Sequence, residues 1–139
     1  RRIMTNTYNH ADLSEMRLAP CAYSMTFNVS GNRLNAILNQ RSQDMLTANN
    51  WNVCQYAALL TMFAKASGFV PGELVHVIAD AHIYDRHVDA VRRLIEKKPY
   101  PAPEMQVEDI TDFYKFTKNS FTAVDYKYHE FTDKIPVAI

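Results

Sequence analysis

"YSMTFNVSGNRLNAILNQ", residues 23–40, alternates in two halves about a turn. Tyr23, Met25, Phe27 and Val29 share one face of the first half, while Thr26 and Asn28 share the other. Successive side chains of a strand point to opposite sides, so this spacing predicts a half-buried strand. "SGN" at 30–32 is a turn signal, and Leu34, Ala36 and Leu38 then repeat the apolar spacing, which together predict a β-hairpin. Downstream, in "NNWNVCQYAALLTMFAKASG", the period changes: Val53, Tyr56, Ala57, Leu60 and Phe63 recur at helical spacing. Asn49 or Asn50 is suited to cap the start of this helix and Gly68 its end. Cys54 lies one step from the apolar stripe, which assigns it to helix packing.

"ELVHVIADAHIY", residues 73–84, reads as a strand with Val75, Val77, Ala79, Ala81 and Ile83 on a dry face. His76, Ile78, Asp80, His82 and Tyr84 make the opposite, chemically busy face, the kind that lines a site. "DRHVDAVRRLIEKKP" follows as an amphipathic helix with Val88, Val91, Leu94 and Ile95 inward. "PYPAP" at 99–103 is an extended link, residues 9–16 a short helix or turn, and the aromatic stretch after it edge strands or loops. These elements predict an α/β (α+β) fold in which a mixed sheet packs against a long central helix.

The chain has 139 residues, enough for one domain with a sizeable core. With 47% hydrophobic and 22% charged residues it has a globular composition. Its formal net charge of zero provides no field for nucleic acid or an anionic membrane surface. No apolar run is long enough to span a bilayer and no leader peptide is visible, so the expectation is a cytoplasmic protein. The two cysteines, Cys21 and Cys54, suit unpaired thiols in a reducing compartment. There is no C-x-x-C or H-x-x-x-H pair, so no metal site is expected.

Cys21, in "LAPCAY", is read from composition and spacing as a packing thiol or a nucleophile, and packing is the commoner fate of a free cysteine. Likewise, "NQRSQD" at 39–44 is a surface turn or a polar pocket, and His82 with Tyr84 are half-buried hydrogen-bonding residues or ligand contacts. These readings by themselves reach an α/β domain with a polar pocket.

The motifs taken together narrow this. "LAPCAYSM", "QRSQDM", "NNWNV", "DAHIY" and the terminal "PVAI" closely resemble thymidylate synthase in order, spacing and position at the C-terminus. The resemblance runs from Arg1 to Ile139 and covers the second part of a family chain, with the family's N-terminal part absent. It implies that residues 1–139 are the C-terminal catalytic part of a thymidylate synthase domain. The family converts dUMP to dTMP with 5,10-methylenetetrahydrofolate as cosubstrate, supplying carbon and hydride. Cys21 then matches the nucleophile, which adds to the uracil ring and splits one hard step into easier ones. Arg41 matches the cation that favours the thiolate and binds the substrate phosphate.

The resemblance also implies the remaining contacts. Arg1 and Arg2 match an arginine pair reaching across a homodimer, formed through a sheet face, to the partner's phosphate. Gln40, Ser42 and Gln43 belong to the nucleotide site, as does Asp44, which touches both uracil and folate. Asn52 matches the residue that reads the base edge, its carbonyl accepting from the ring N–H and its amide donating to the exocyclic oxygen. His82, Ile83 and Tyr84 fall at the ribose, with His82 and Tyr84 placed on one strand face by their spacing. Ala138 and Ile139 belong to the tail that closes over the folate. Many family members carry a histidine directly after the nucleophile; here that residue is Ala22. The alternatives are a pyrimidine nucleotide hydroxymethylase of the same fold, and a non-catalytic nucleotide-binding or dimerisation fragment. The former uses the same thiolate addition but ends with water in place of hydride.

Overall fold

The computed structural model describes residues 2–137. Two compact units divide the chain, Arg1–His82 and Ile83–Ile139.

The first unit is built on the predicted hairpin. Strands β2 (Ala22–Ser30) and β3 (Arg33–Gln40) pair antiparallel, with Met25 opposite Leu38 and Phe27 opposite Ala36. Gly31 has φ +61°, a backbone angle that a tight hairpin turn requires and that glycine adopts without a Cβ clash. Strand β1 (Ile3–Asn6) adds to the outside of β2, antiparallel. Strand β5 (Val70–Ile78) adds to β3 in parallel, giving a mixed sheet of order β1-β2-β3-β5. Parallel neighbours need a crossover, and helix α1 (Asn49–Ala66) lies within it. A short parallel pair, β4 (Gln43–Asp44) with β6 (Ala81–His82), completes the unit.

The core sits between the sheet and α1. Met25, Phe27, Leu34 and Ala36 from the hairpin meet Leu60 and Ala64 from the helix, with Tyr56, Leu59, Phe63, Phe69 and Leu74 packed around them. Phe27 and Phe63 meet edge to face at 5.3 Å. Full burial of side chains as large as Leu60 stabilises by about 1.5–3 kcal/mol each. Gly68 ends the helix at φ +72°, and the amides of Gly68 and Phe69 return to the carbonyls of Lys65 and Ala64. That closes the last turn and sends the chain into β5. The expected mixed sheet packed on a long helix is thus the observed fold.

Several local expectations differ. The helix cap position is Ala48 and carries no side-chain cap, where Asn49 or Asn50 was expected. The Asp44 carboxylate instead accepts from the amides of Leu46 and Thr47, one turn earlier. Val53, Cys54 and Ala57 are exposed, because the inward stripe runs through Tyr56, Leu59, Leu60, Phe63 and Ala64. Cys54 therefore does not pack. Residues 73–84 are not one strand: β5 ends at Ile78 and β6 is a separate pair of residues. The faces of β5 are also inverted. Register pairs Leu74 with Ala36 and His76 with Leu38, so both fall on the side covered by α1. Val75 and Val77 consequently lie on the open side, 47% and 48% exposed.

The second unit begins with a 3-10 turn at Asp85–His87 that leads into helix α2 (Val88–Ile95). His87 and Ala90 are buried, whereas Leu94 and Ile95, expected inward, are exposed. Strands β7 (Glu104–Val107) and β8 (Phe121–Val124) form an antiparallel ribbon. The last described residues run against the 3-10 turn and α2: Arg86 donates to the Val137 carbonyl, His87 Nε2 bonds the Pro136 carbonyl at 2.9 Å, and Arg93 of α2 pairs with Asp133 at 2.7 Å.

Candidate active site

Cys21 is a free, half-buried thiol in the bend immediately before β2. The β2–β3 register shifts between Ala22 and Ser24, the type of irregularity that re-aims side chains at the end of a ladder. Two contacts from Arg41 hold this bend. Its backbone N–H donates to the Cys21 carbonyl at 2.8 Å. Its guanidinium donates through Nε to the Pro20 carbonyl at 3.0 Å and through Nη2 to the Ala19 carbonyl at 2.7 Å. The residue expected to bind phosphate thus also clasps the two residues preceding the candidate nucleophile.

Beside this bend lies a buried polar network. Gln40, the last residue of β3, is 2% exposed, and Gln43 on β4 is 1% exposed. Buried carboxamides need partners, and these have them. The two hydrogens of Gln40 Nε2 are shared among three acceptors: the Ser42 carbonyl at 2.8 Å, Asn52 Oδ1 at 3.2 Å and Gln43 Oε1. Gln40 Oε1 meets His76 Nε2 at 2.9 Å. Burial pushes the His76 imidazole below its ordinary pKa. Asn52 stands in the first turn of α1, so the helix start, β3, β4 and β5 converge here.

The other expected residues are distributed as follows. Asp44 follows Gln43 on β4 and pairs with His82 across the short parallel ladder. Its carboxylate also engages the Thr47 hydroxyl, so it shapes the loop entering α1. His82 Nδ1 lies 3.2 Å from Asp80 Oδ2. Tyr84 does not share a strand face with His82, because β6 ends at His82 and Tyr84 caps the following 3-10 turn, stacked edge-on to His87 at 5.5 Å. Ile83 and Tyr84 are exposed and belong to the second unit. Arg2 is exposed immediately before β1. Arg1, Ala138 and Ile139 lie outside the described residues. Among the described residues no group of three His, Cys, Asp or Glu is placed to hold a metal ion, and no helix is long and apolar enough to cross a membrane.

His76 was absent from the expected contacts. The available signal was a histidine alternating with valines in a strand, on the face that α1 covers.

Fold and site together define an α+β domain in which a bent, arginine-clasped thiol stands beside a buried carboxamide network. The thymidylate synthase family profile matches residues 1–139, and the chain belongs to that family. It is 36% identical over 129 residues to the thymidylate synthase of Bacillus phage phi3T, covering 92% of this chain and 46% of that protein. It is 38% identical to the enzyme of the same name from Bacillus licheniformis, with the same coverage. A bifunctional dihydrofolate reductase-thymidylate synthase of Paramecium tetraurelia is 36% identical over 94% of this chain and 28% of its own length. Among solved structures, a thermostable thymidylate synthase A from Bacillus subtilis superposes with a TM-score of 0.88 at 34% identity, covering 98% of this chain and 48% of that one. The chain spans about half the length of the single-function relatives it matches.

Proposed function

We propose that the chain supplies the C-terminal, nucleophile-bearing part of a thymidylate synthase that converts dUMP to dTMP with 5,10-methylenetetrahydrofolate. The observation that carries this is Cys21 in its arginine-clasped bend, next to the Gln40–Asn52 carboxamides. Carbon 5 of uracil is too weak a nucleophile to attack the folate. Addition of the Cys21 thiolate to carbon 6 makes the ring an enolate, and carbon 5 then takes the methylene group. Loss of the carbon 5 proton breaks the bond between the methylene carbon and the folate nitrogen, and hydride from the released tetrahydrofolate, which becomes dihydrofolate, then completes the methyl group as the thiolate is expelled.

Arg41, with Ser42, faces the phosphate in this reading. Asn52 reads the uracil edge, accepting from the ring N–H and donating to the exocyclic oxygen. Gln40 and Gln43 support it, Asp44 bridges base and folate, and His82 with Tyr84 holds the ribose. Ala138 and Ile139 close over the folate. Two copies join through the sheet, with Arg1 and Arg2 of each reaching the other's phosphate. The open sheet face supports such a pairing: Met4, Ile37 and Val75 lie in one cross-strand row, 65%, 41% and 47% exposed. Free thiols at Cys21 and Cys54 suit the cytoplasm.

The test is mass spectrometry of the full-length protein with 5-fluoro-dUMP and methylenetetrahydrofolate. Fluorine cannot leave as the carbon 5 proton does, so the nucleotide and folate should remain on the Cys21 peptide. Trapping that persists in a Cys21→Ser protein refutes the assignment. The 139-residue chain alone is expected not to release dTMP.

A further inference from the structure

We propose that His76 is a positioning residue for nucleotide choice: it braces the oxygen end of the Gln40 carboxamide, whose nitrogen end the Ser42 carbonyl holds, and through Gln40 it steadies the orientation of Asn52. This rests on the base-reading role proposed for Asn52. A carboxamide can rotate by half a turn and exchange its oxygen with its nitrogen. Flipped, Asn52 would offer N–H to a ring nitrogen and accept from an amino group, which is the cytosine pattern. Selectivity for uracil therefore needs something that forbids the flip.

The network provides it by a chain of forced assignments. The Ser42 carbonyl can only accept, so the Gln40 atom 2.8 Å from it must be Nε2. Oε1 then faces His76, which must present Nε2–H across 2.9 Å. Gln40 Nε2 shares its two hydrogens among the Ser42 carbonyl, Gln43 Oε1 and Asn52, and because an amide nitrogen cannot accept, the Asn52 atom 3.2 Å away is Oδ1. One lone pair of that oxygen is used by Gln40, and the second remains for the N–H of uracil. Turning Asn52 over would set its NH₂ against the Gln40 NH₂. Turning Gln40 over would set its oxygen against the Ser42 carbonyl and would force the imidazole to give up its Nε2 proton and change tautomer. His76 reaches this point from β5, because the parallel register puts it on the α1 side of the sheet, diagonal to Gln40. Within this network it is the only member that is not an amide.

The test compares dUMP and dCMP in competition for the full-length protein, by calorimetry and by turnover. His76→Leu leaves the buried Gln40 oxygen without its donor and the carboxamide held only at its nitrogen end. Leaving one buried polar group unmet weakens an interaction by roughly ten- to a hundredfold, so the dUMP:dCMP preference should fall by about that factor. His76→Gln, which keeps an N–H at a similar reach, should restore most of it. In a Gln40→Met background His76→Leu should change the preference no further, since the relay is already broken. An unchanged preference in His76→Leu, while Asn52→Asp still shifts it toward dCMP, overturns the relay and leaves base reading intact. An unchanged preference in Asn52→Asp overturns both. If His76→Leu does not fold, full additivity of His76→Gln with Gln40→Met overturns the relay, and non-additivity supports it.

Discussion

Replacing Arg41 by alanine should loosen the Cys21 bend in a measurable way. The guanidinium makes two hydrogen bonds there, at 2.7 and 3.0 Å, to the carbonyls of Ala19 and Pro20. Hydrogen bonds to a charged group contribute about 1.5–3 kcal/mol each. Arg41 is half-buried, so the lower end applies, and the pair contributes about 3 kcal/mol to keeping the bend closed. The reporter is the amide of residue 41, which donates to the Cys21 carbonyl at 2.8 Å and survives the substitution. Its hydrogen exchange, followed by nuclear magnetic resonance, should accelerate by roughly 100-fold in Arg41→Ala, at 1.4 kcal/mol per factor of ten. Arg41→Lys should fall between, because an ammonium on a flexible stem cannot span both carbonyls as the planar fork does. Exchange at residue 41 within about threefold of the parent protein in Arg41→Ala would refute the clasp.

Three further outcomes are expected. In the full-length enzyme Cys21→Ser should abolish dTMP formation, whereas Cys54→Ala should change stability by less than about 0.5 kcal/mol, since Cys54 is exposed; turnover assays and urea unfolding check both. Burial lowers the folded-state pKa of His76, so its contribution to stability is complete above the unfolded value near 6.5 and is lost as pH falls through the lower folded value. Unfolding curves between pH 7 and pH 5 should show that decline, and His76→Gln should flatten it; parallel pH profiles for the two proteins count against this assignment. If the proposed dimer forms through the open sheet face, Val75→Lys should shift sedimentation of the full-length protein toward monomer without unfolding it, and unchanged sedimentation would refute that interface.

The hairpin and the helix were legible in the sequence because each is written locally. Alternation at period two across 23–40 and helical spacing from Tyr56 to Phe63 need no partner to be read. The thiol after a proline and the short motifs beside it are likewise contiguous. The direction each strand faces is different in kind. A strand such as β5 has two sides, and its composition, valines on one and His76 with Ile78 on the other, suggested the valines as the dry side. The parallel register with β3 and the crossover through α1 put Leu74 and His76 inward and left Val75 and Val77 open. A one-residue slip would reverse every one of these positions, and nothing within the strand specifies it. His82 and Tyr84 lose their shared face for a similar reason: β6 exists only as the partner of β4 and ends at His82. His76 meets Gln40 across 36 residues of chain, so its place in the carboxamide network arises when β3 and β5 pair and α1 brings Asn52 over them.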